Sequence, residues 1–278
     1  MIITLTTLCE NTAVAPGFFS EWGWSVLIDI DGEKILLDTG AGRSAISNAD
    51  KMGINLSSIQ KIVLSHAHAD HTGGLRDMLV RTGEVEVMAH PAIWDKKCKI
   101  IKEGSPPVYN GVPFAREELE KAASFTLSSE PAEVSKYVIT TGEVPMTTSF
   151  EKPEPNFMVM KDGSLTKDTF PDDLALIIRT EKGLVIVLGC AHRGMINTIL
   201  HAQRLTGDER VHAVIGGTHL YPKSRADVEN AVYALKEIGV ERVGVSHCTG
   251  IEAAMLLKEA LGDRFFINNS GNSVSIEA

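Results

Sequence analysis

Apolar residues recur along the chain in two rhythms. Alternation and short unbroken apolar runs predict strands over 2–8, 24–30, 34–37, 61–64 and 85–88, then over 174–179, 184–188, 211–215, 242–246 and 264–267. Apolar residues three and four apart predict helices between them. One covers 43–52 and stops at Gly53; another lies near 75–80. A third covers 195–205, with Ile196, Ile199 and Leu200 on one face and Gly207 past its end. A fourth starts at Ser224, buries Val228, Ala231, Val232 and Leu235, and ends at Gly239; a fifth covers 252–261 and stops at Gly262. Asp31-Gly32 between two apolar runs signals a hairpin. Ser224 with Asp227 three later is a capping-box pattern. His90-Pro91 opens a further helix, with His90 expected in solvent. Both halves start with strands and go on to alternate with amphipathic helices. That order suits an α/β fold of two sheets face to face with helices outside, a four-layer αββα sandwich.

The stretch 104–171 breaks the rhythm. Prolines cluster there (Pro106, Pro107, Pro113, Pro131, Pro145, Pro153, Pro155, Pro171). Only short strands over 124–127 and 137–140 and a helix over 115–123 are predicted. Long irregular segments in a compact domain are often binding loops or covers. Residues 1–278 therefore read as one domain with a lid-like insertion at 104–171. Its aromatics, Tyr109, Phe114, Phe125, Phe150 and Phe157, either line a ligand pocket or make a satellite core.

Composition narrows the function classes. At 278 residues, 44% hydrophobic and 23% charged, the chain has the make-up of a globular protein with a sizeable core. A net charge of −9 argues against a general nucleic-acid or anionic-membrane surface. No apolar run reaches the length of a membrane span, and the N-terminus lacks the basic segment and cleavage site of a signal peptide. Cys9, Cys98, Cys190 and Cys248 are scattered, which fits a reducing compartment rather than a disulfide scaffold. The expectation is a cytoplasmic protein with a small-molecule substrate and no nucleic-acid or membrane partner; oligomeric state stays open.

The densest chemistry is Ser65-His66-Ala67-His68-Ala69-Asp70-His71-Thr72-Gly73-Gly74, just past the predicted strand 61–64. Imidazole nitrogen and carboxylate oxygen are donors for zinc, iron and manganese. In extended backbone His66 and His68 share a side. As the chain turns, Asp70 and His71 swing towards a second, adjacent metal. Three later strand ends each carry a histidine: Gly189-Cys190-Ala191-His192, Gly217-Thr218-His219 and Ser246-His247-Cys248. Further ligands are expected there, because strand ends can converge across a sandwich. At the first, His192 is favoured and Cys190 is the alternative. Arg193 and Gly194 open the next helix, a natural seat for a phosphate or carboxylate. His201 and His212 are assigned no role.

The stretch 66–71 matches the HxHxDH pattern of the metallo-β-lactamase superfamily, and the chain resembles that family. The resemblance implies His66 and His68 on one metal, Asp70 and His71 on the other, and Asp38 of Asp38-Thr39-Gly40 bracing the loop. It also implies His247 as the closing ligand. Asp70 would orient the attacking group, and His219 would act as a nearby acid or substrate contact. Most members carry Asp where Cys190 stands, and hydrolytic members a histidine shortly before the 174–179 strand. Here that region reads Thr169-Phe170-Pro171-Asp172-Asp173, so Asp172 or Asp173 replaces the histidine or the place is vacant. Glu10-Asn11-Thr12, Thr72-Gly73-Gly74-Leu75, Gly216-Gly217-Thr218-His219-Leu220 and Ser246-His247-Cys248-Thr249-Gly250 look like the subgroup of 7,8-dihydropterin-6-yl-methyl-4-(β-D-ribofuranosyl)aminobenzene 5′-phosphate synthases. Ala69 departs from it, where a bulkier residue is common, and opens room beside the metals. The subgroup implies a flat, anionic pterin- or folate-like ligand. Arg193 and, more weakly, Arg43 would be the counterparts of its anionic groups. The expected cofactor is zinc, one or two ions, with iron or manganese as alternatives. Three functions are in play: a metal-dependent hydrolase, a methyl or other one-carbon transferase using a reduced pterin such as tetrahydrofolate, and a non-catalytic pterin-binding protein. A di-iron oxidoreductase is disfavoured, since those relatives carry Glu at the His68 position.

Overall fold

The computed structural model describes residues 1–221 and 223–277. The first part runs β1 (Ile2–Cys9), β2 (Ser25–Ile30), β3 (Glu33–Leu37), α1 (Ser44–Lys51), β4 (Lys61–Val63), α2 (Ala69–Thr72), α3 (Leu75–Thr82) and β5 (Glu86–Ala89). The middle holds β6 (Lys96–Lys99), β7 (Val108–Tyr109), α4 (Arg116–Leu119), β8 (Ser124–Leu127), β9 (Val138–Thr140), β10 (Phe157–Lys161) and β11 (Ser164–Lys167). The last part is β12 (Ala175–Thr180), β13 (Gly183–Leu188), α5 (Met195–Thr206), β14 (Val211–Gly217), α6 (Arg225–Ile238), β15 (Arg242–Ser246), α7 (Ile251–Leu261), β16 (Phe265–Ile267) and β17 (Ser273–Glu277).

The strands make a seven-stranded sheet, β17-β1-β2-β3-β4-β5-β8, a six-stranded sheet, β16-β15-β14-β13-β12-β9, and a small sheet, β11-β10-β6-β7. Strand alternation sets the layers. Val26, Ile28, Ile35 and Leu37 share an inner apolar layer with Leu176, Ile178, Val185, Val187 and Ile215 of the second large sheet. Their neighbours Leu27 and Leu36 face the other way, packing with Ala45, Ala49, Leu75 and Met78 of α1 and α3. On the second sheet, Ile177, Ile186 and Val214 pack with Ile199, Leu235 and Leu257 of α5, α6 and α7. The fold is the αββα sandwich. Burying each such side chain contributes about 1.5–3 kcal/mol. With both faces apolar, register in β2–β3 is set by the turn: Asp31 and Gly32 take φ of 51° and 95° and lock Ile30 opposite Glu33. Ser224 and Asp227 form the capping box on α6.

Several local expectations change. The helix over 115–123 shrinks to the single turn α4, in which only Leu119 is buried. His90 is buried rather than solvated, and its Nδ1 accepts the Ala92 N–H at a 3-10 turn. Strand β17, unforeseen, pairs with β1 from Ile2↔Glu277 to Thr6↔Ser273. Residues 104–171 are divided among all three sheets: β8 edges the first, β9 the second, and β7, β10 and β11 join the earlier strand β6. Phe114 and Phe125 pack under the first sheet and Phe150 under the second, whereas Tyr109 and Phe157 face the site described next.

Candidate metal centre

The chemistry gathers at strand ends. β3, β4 and β5 are parallel, as are β13, β14, β15 and β16. Where such strands end, the chain leaves the ladder and side chains can converge. Asp38, Ala191, His219 and His247 all take left-handed backbone there, with φ of 58°, 55°, 47° and 51°. Non-glycine residues adopt this conformation at a cost, so contacts must hold them. The chain segments also approach very closely. A Cβ on Gly189 would lie 2.2 Å from Ser65 Oγ.

Two trios of donors result. His66, His68 and His192 each bring a ligand atom within 4.8 Å of the other two, and so do Asp70, His71 and His247. Cys190 lies between them, in reach of His66 and His71 on one side and of His247 and Cys248 on the other. A third trio joins Glu154, His192 and His219. All six residues named from the sequence as metal ligands thus meet, with His219 beside them. Burial holds His66 and His192 well below the usual imidazole range and His68 down to about 3, so all three are neutral. Burial pushes the Asp70 carboxyl up, but His247, His71 and His68 win and keep it ionised.

Asp38 decides which nitrogens face inward. Its Oδ1 accepts the Ser65 N–H at 2.7 Å, and its Oδ2 accepts the Ser65 hydroxyl at 2.6 Å. With that proton committed, Ser65 Oγ must accept from His66 Nδ1 at 2.9 Å. His66 Nε2 is left with its lone pair. Oδ2 also lies 2.6 Å from His71 Nδ1, which must likewise be the donor. One carboxylate therefore fixes the tautomer of one histidine in each trio. Burial pulls His71 down, but Asp38 wins and raises it to about 9, so a proton or a cation is held at Nε2 at neutral pH. Asn11 treats His247 the same way: its Nδ2 donates to His247 O at 3.1 Å, and its Oδ1 accepts from Nδ1 at 2.9 Å. His247 Nε2 then faces the Asp70 carboxylate at 3.3 Å. Two electron-rich atoms this close need a cation or proton between them.

The pattern of the metallo-β-lactamase superfamily matches residues 23–109. A protein of Methanocaldococcus jannaschii named 7,8-dihydropterin-6-methyl-4-(β-D-ribofuranosyl)-aminobenzene-5′-phosphate synthase is 32% identical over 275 residues, covering 95% of this chain and 93% of the relative. This chain belongs to the metallo-β-lactamase superfamily. Among solved structures, Tm1679, described as a metal-dependent hydrolase of the β-lactamase superfamily, superposes with a TM-score of 0.87 at 30% identity, covering 99% of this chain and 100% of that one. Zinc-bound PqqB from Methylobacterium extorquens shares the fold, with a TM-score of 0.57 at 13% identity.

Superfamily membership implies a divalent metal, and the residues present fit one. His66 Nε2, His68 Nε2 and His192 Nε2 are buried with no hydrogen-bond partner. Buried polar atoms are normally satisfied, and three convergent imidazole lone pairs suit zinc. Aromatic rings hold two of these histidines in place: Phe170 stacks on His192 with centroids 3.9 Å apart, and Phe157 on His68 at 5.0 Å.

Other expectations fail for visible reasons. Arg193 is buried and committed within the protein. Its guanidinium donates to Thr169 O and Val144 O at 2.7 Å and pairs with Glu143 at 2.8 Å. The α5 N-terminus beside Gly194 is filled as well, since Glu151 accepts the Ile196 and Asn197 N–H groups at 2.8 and 2.7 Å. Neither is free for a ligand anion. Arg43 is exposed and, among the described residues, pairs with Asp77 alone, at 3.8 Å. Asp172 and Asp173 join neither trio of donors. Asp172 instead pairs with buried Lys97 at 2.6 Å and accepts the Ala67 N–H at 2.9 Å, and Lys97 also pairs with Asp168 at 2.8 Å. Asp173 accepts the Arg193 N–H at 2.8 Å.

The centre floors a cavity of about 340 Å³, whose lining includes Trp22, Ala69, Lys99, Tyr109, Phe157 and Tyr221. Lys99 makes no ion pair among the described residues; its Nζ sits 4.6 Å from the Phe157 ring centroid. Glu154, Lys99, Trp22 and Tyr221 were missed from the sequence. They come from loops and a short strand, where no periodicity points to a role. Glu154 lies 3.0 Å from His219 Nδ1 and 2.5 Å from Lys223 Nζ. Burial pulls His219 down, but the bond to Glu154 and the field of Cys248 win and leave it above the usual imidazole range.

Proposed function

We propose that this chain is a metal-dependent enzyme acting on a flat, anionic small molecule of the pterin or folate type. One observation carries the reading: two donor trios share the floor of a cavity walled by Trp22, Tyr109, Phe157 and Tyr221 and charged by Lys99. Aromatic faces suit a planar ring, and an unpaired lysine suits a phosphate or carboxylate. The name of the Methanocaldococcus relative, a dihydropterin-related phosphate, matches that chemistry.

In this reading His66, His68 and His192 hold one ion, and Asp70, His71 and His247 hold a second. Zinc suits this set best; iron or manganese would also accept these donors. When bound, such a cation supplies Lewis-acid polarisation and activates water. The free oxygen of Asp70 orients the attacking group. His219, aligned by Glu154, donates a proton or hydrogen bond to the leaving oxygen. In this reading the small sheet carrying Lys99, Tyr109 and Phe157 acts as a cover over the centre. Hydrolysis of an ester or phosphoester is the simplest reaction. Transfer of a group to or from a reduced pterin is the second reading, favoured by Cys190, which puts a thiol rather than a carboxylate between the trios.

The test combines metal analysis of purified protein with binding and turnover of reduced pterins, folates and phosphoesters. Phosphoester turnover lost in His68→Ala supports hydrolysis. Tight pterin or folate binding without esterase activity supports transfer. Lys99→Ala should weaken anionic ligands about tenfold while leaving metal content intact. Binding unchanged in that variant, or no ligand or substrate found among these compounds, refutes the substrate class.

A further inference from the structure

We propose that the cavity over the metal centre continues past Trp22 and Tyr221 into a second binding site, which takes an uncharged aromatic arm of the substrate. The inference rests on the substrate class proposed above and adds an arm to it. A cavity of about 340 Å³ is at the small end for a small-molecule site. A second cavity of about 440 Å³ adjoins it, and Trp22, Tyr221 and His247 line both. Trp22 sits edge-on to the His247 ring, centroids 5.3 Å apart, so the junction lies beside a proposed metal ligand. Hydrogen bonds tie the walls together. Glu10 accepts the His247 N–H at 2.7 Å and the Thr12 N–H at 2.6 Å, joining Glu10-Asn11-Thr12 to the turn after β15. Tyr221 is held by its N–H, which donates to Cys248 O at 3.1 Å. A Cβ on Gly250 would lie 2.8 Å from Tyr221 Cβ, so a side chain there would push the tyrosine out of the wall.

The lining sorts ligands by charge. Lys99 belongs to the first cavity. Among the described residues, no lysine or arginine lines the second, whereas Glu10 and Glu252 place two carboxylates there. Glu252 stands in the first turn of α7 and offsets the partial positive charge of that helix start. Trp22, Tyr221, Ile251 and Ile267 are large apolar side chains that the lining leaves exposed. Apolar surface of this kind, with two aromatic rings at the junction, suits an uncharged ring. A larger cavity of about 720 Å³ between α6 and α7 fits the arm less well: Lys223, Arg225 and Lys258 line it, and none of the six proposed ligands does.

The test compares three 7,8-dihydropterins by calorimetry on the zinc-loaded full chain. The 6-methyl compound has no arm, the 6-anilinomethyl compound has an uncharged aromatic arm, and dihydropteroate has the same arm ending in a carboxylate. The uncharged arm should tighten binding about tenfold over the 6-methyl compound, and the carboxylate should cancel most of that gain. Ile251→Asp should remove the gain and leave the 6-methyl compound unaffected. Glu252→Lys should tighten dihydropteroate about tenfold. Both side chains are exposed, so neither change opens the core. Equal affinity for the 6-methyl and 6-anilinomethyl compounds, or a gain that survives Ile251→Asp, overturns the second site and leaves the substrate class standing. Dihydropteroate that binds the unaltered chain more tightly than the uncharged arm does, or that ignores Glu252→Lys, overturns the preference for an uncharged arm. Failure of all three compounds to bind sinks the substrate class, and the second site with it.

Discussion

Replacing Asp38 by asparagine isolates the tautomer argument. Shape is kept and the charge is lost. The Ser65 N–H requires an oxygen at the Oδ1 position, 2.7 Å away, so the amide NH₂ must occupy the Oδ2 position. There it meets His71 Nδ1 and Ser65 Oγ, both 2.6 Å from that atom. A donor now faces His71 Nδ1, which has to become an acceptor, and its proton moves to Nε2. Ser65 Oγ accepts from the amide and turns its own proton towards His66 Nδ1. That ring flips its tautomer in the same way. Both inward nitrogens are then protonated, one in each trio. Loss of a single partner behind a metal ligand typically weakens affinity 10–100-fold. With one ligand affected in each trio, we expect about 100-fold weaker zinc binding at both positions. Folding should change little, because most hydrogen bonds are remade. Asp38→Ala should behave differently. The Ser65 hydroxyl can turn to His66 Nδ1, but the Ser65 N–H and the His71 Nδ1–H are stranded, two buried donors at about 1–3 kcal/mol each, which should lower stability by about 2–6 kcal/mol. Zinc affinity by competition with a chromophoric chelator, alongside urea melts, separates the two variants. Asp38→Asn protein that binds zinc as tightly as the unaltered chain would refute the assignment.

Two further outcomes follow from the surroundings of the site. Lys97→Met leaves Asp168 and Asp172 buried without their cation, and breaking such a pair costs about 3–5 kcal/mol; a urea midpoint that barely moves would show that the cluster is not a clamp. Burial raises the Asp173 carboxyl to about 7, from an ordinary 3.8. Between those values the folded state holds a proton that the unfolded state has released, so this residue adds stability as pH falls from 7 and subtracts it above 7. Asp173→Asn should therefore melt higher than the unaltered chain at alkaline pH, with the gap closing as pH drops through 7; a gap that does not vary with pH would contradict this.

The layers were legible in the chain because alternation and helical spacing are local properties, and these strands keep both faces apolar. Ser224 with Asp227, Asp31-Gly32 and the glycine stops act within a few residues, and each appears where its chemistry puts it. The donors were legible too, since imidazoles clustered past a buried strand have few other uses. Strand β17 was not. Val274 and Ile276 alone make a weak pattern, and only pairing with β1, some 270 residues away, turns it into a strand. Arg193 looked free at a helix start until Thr169, Val144 and Glu143 closed around it. The amino-acid order by itself determined which groups could bind a cation and that they stand at strand ends. Tertiary structure alone decided which nitrogen of each ring points inward, that Glu154 joins His219, and that Lys99 rather than Arg193 charges the cavity. Those outcomes depend on single hydrogen bonds and ion pairs between segments far apart in the chain, and no local periodicity carries that information.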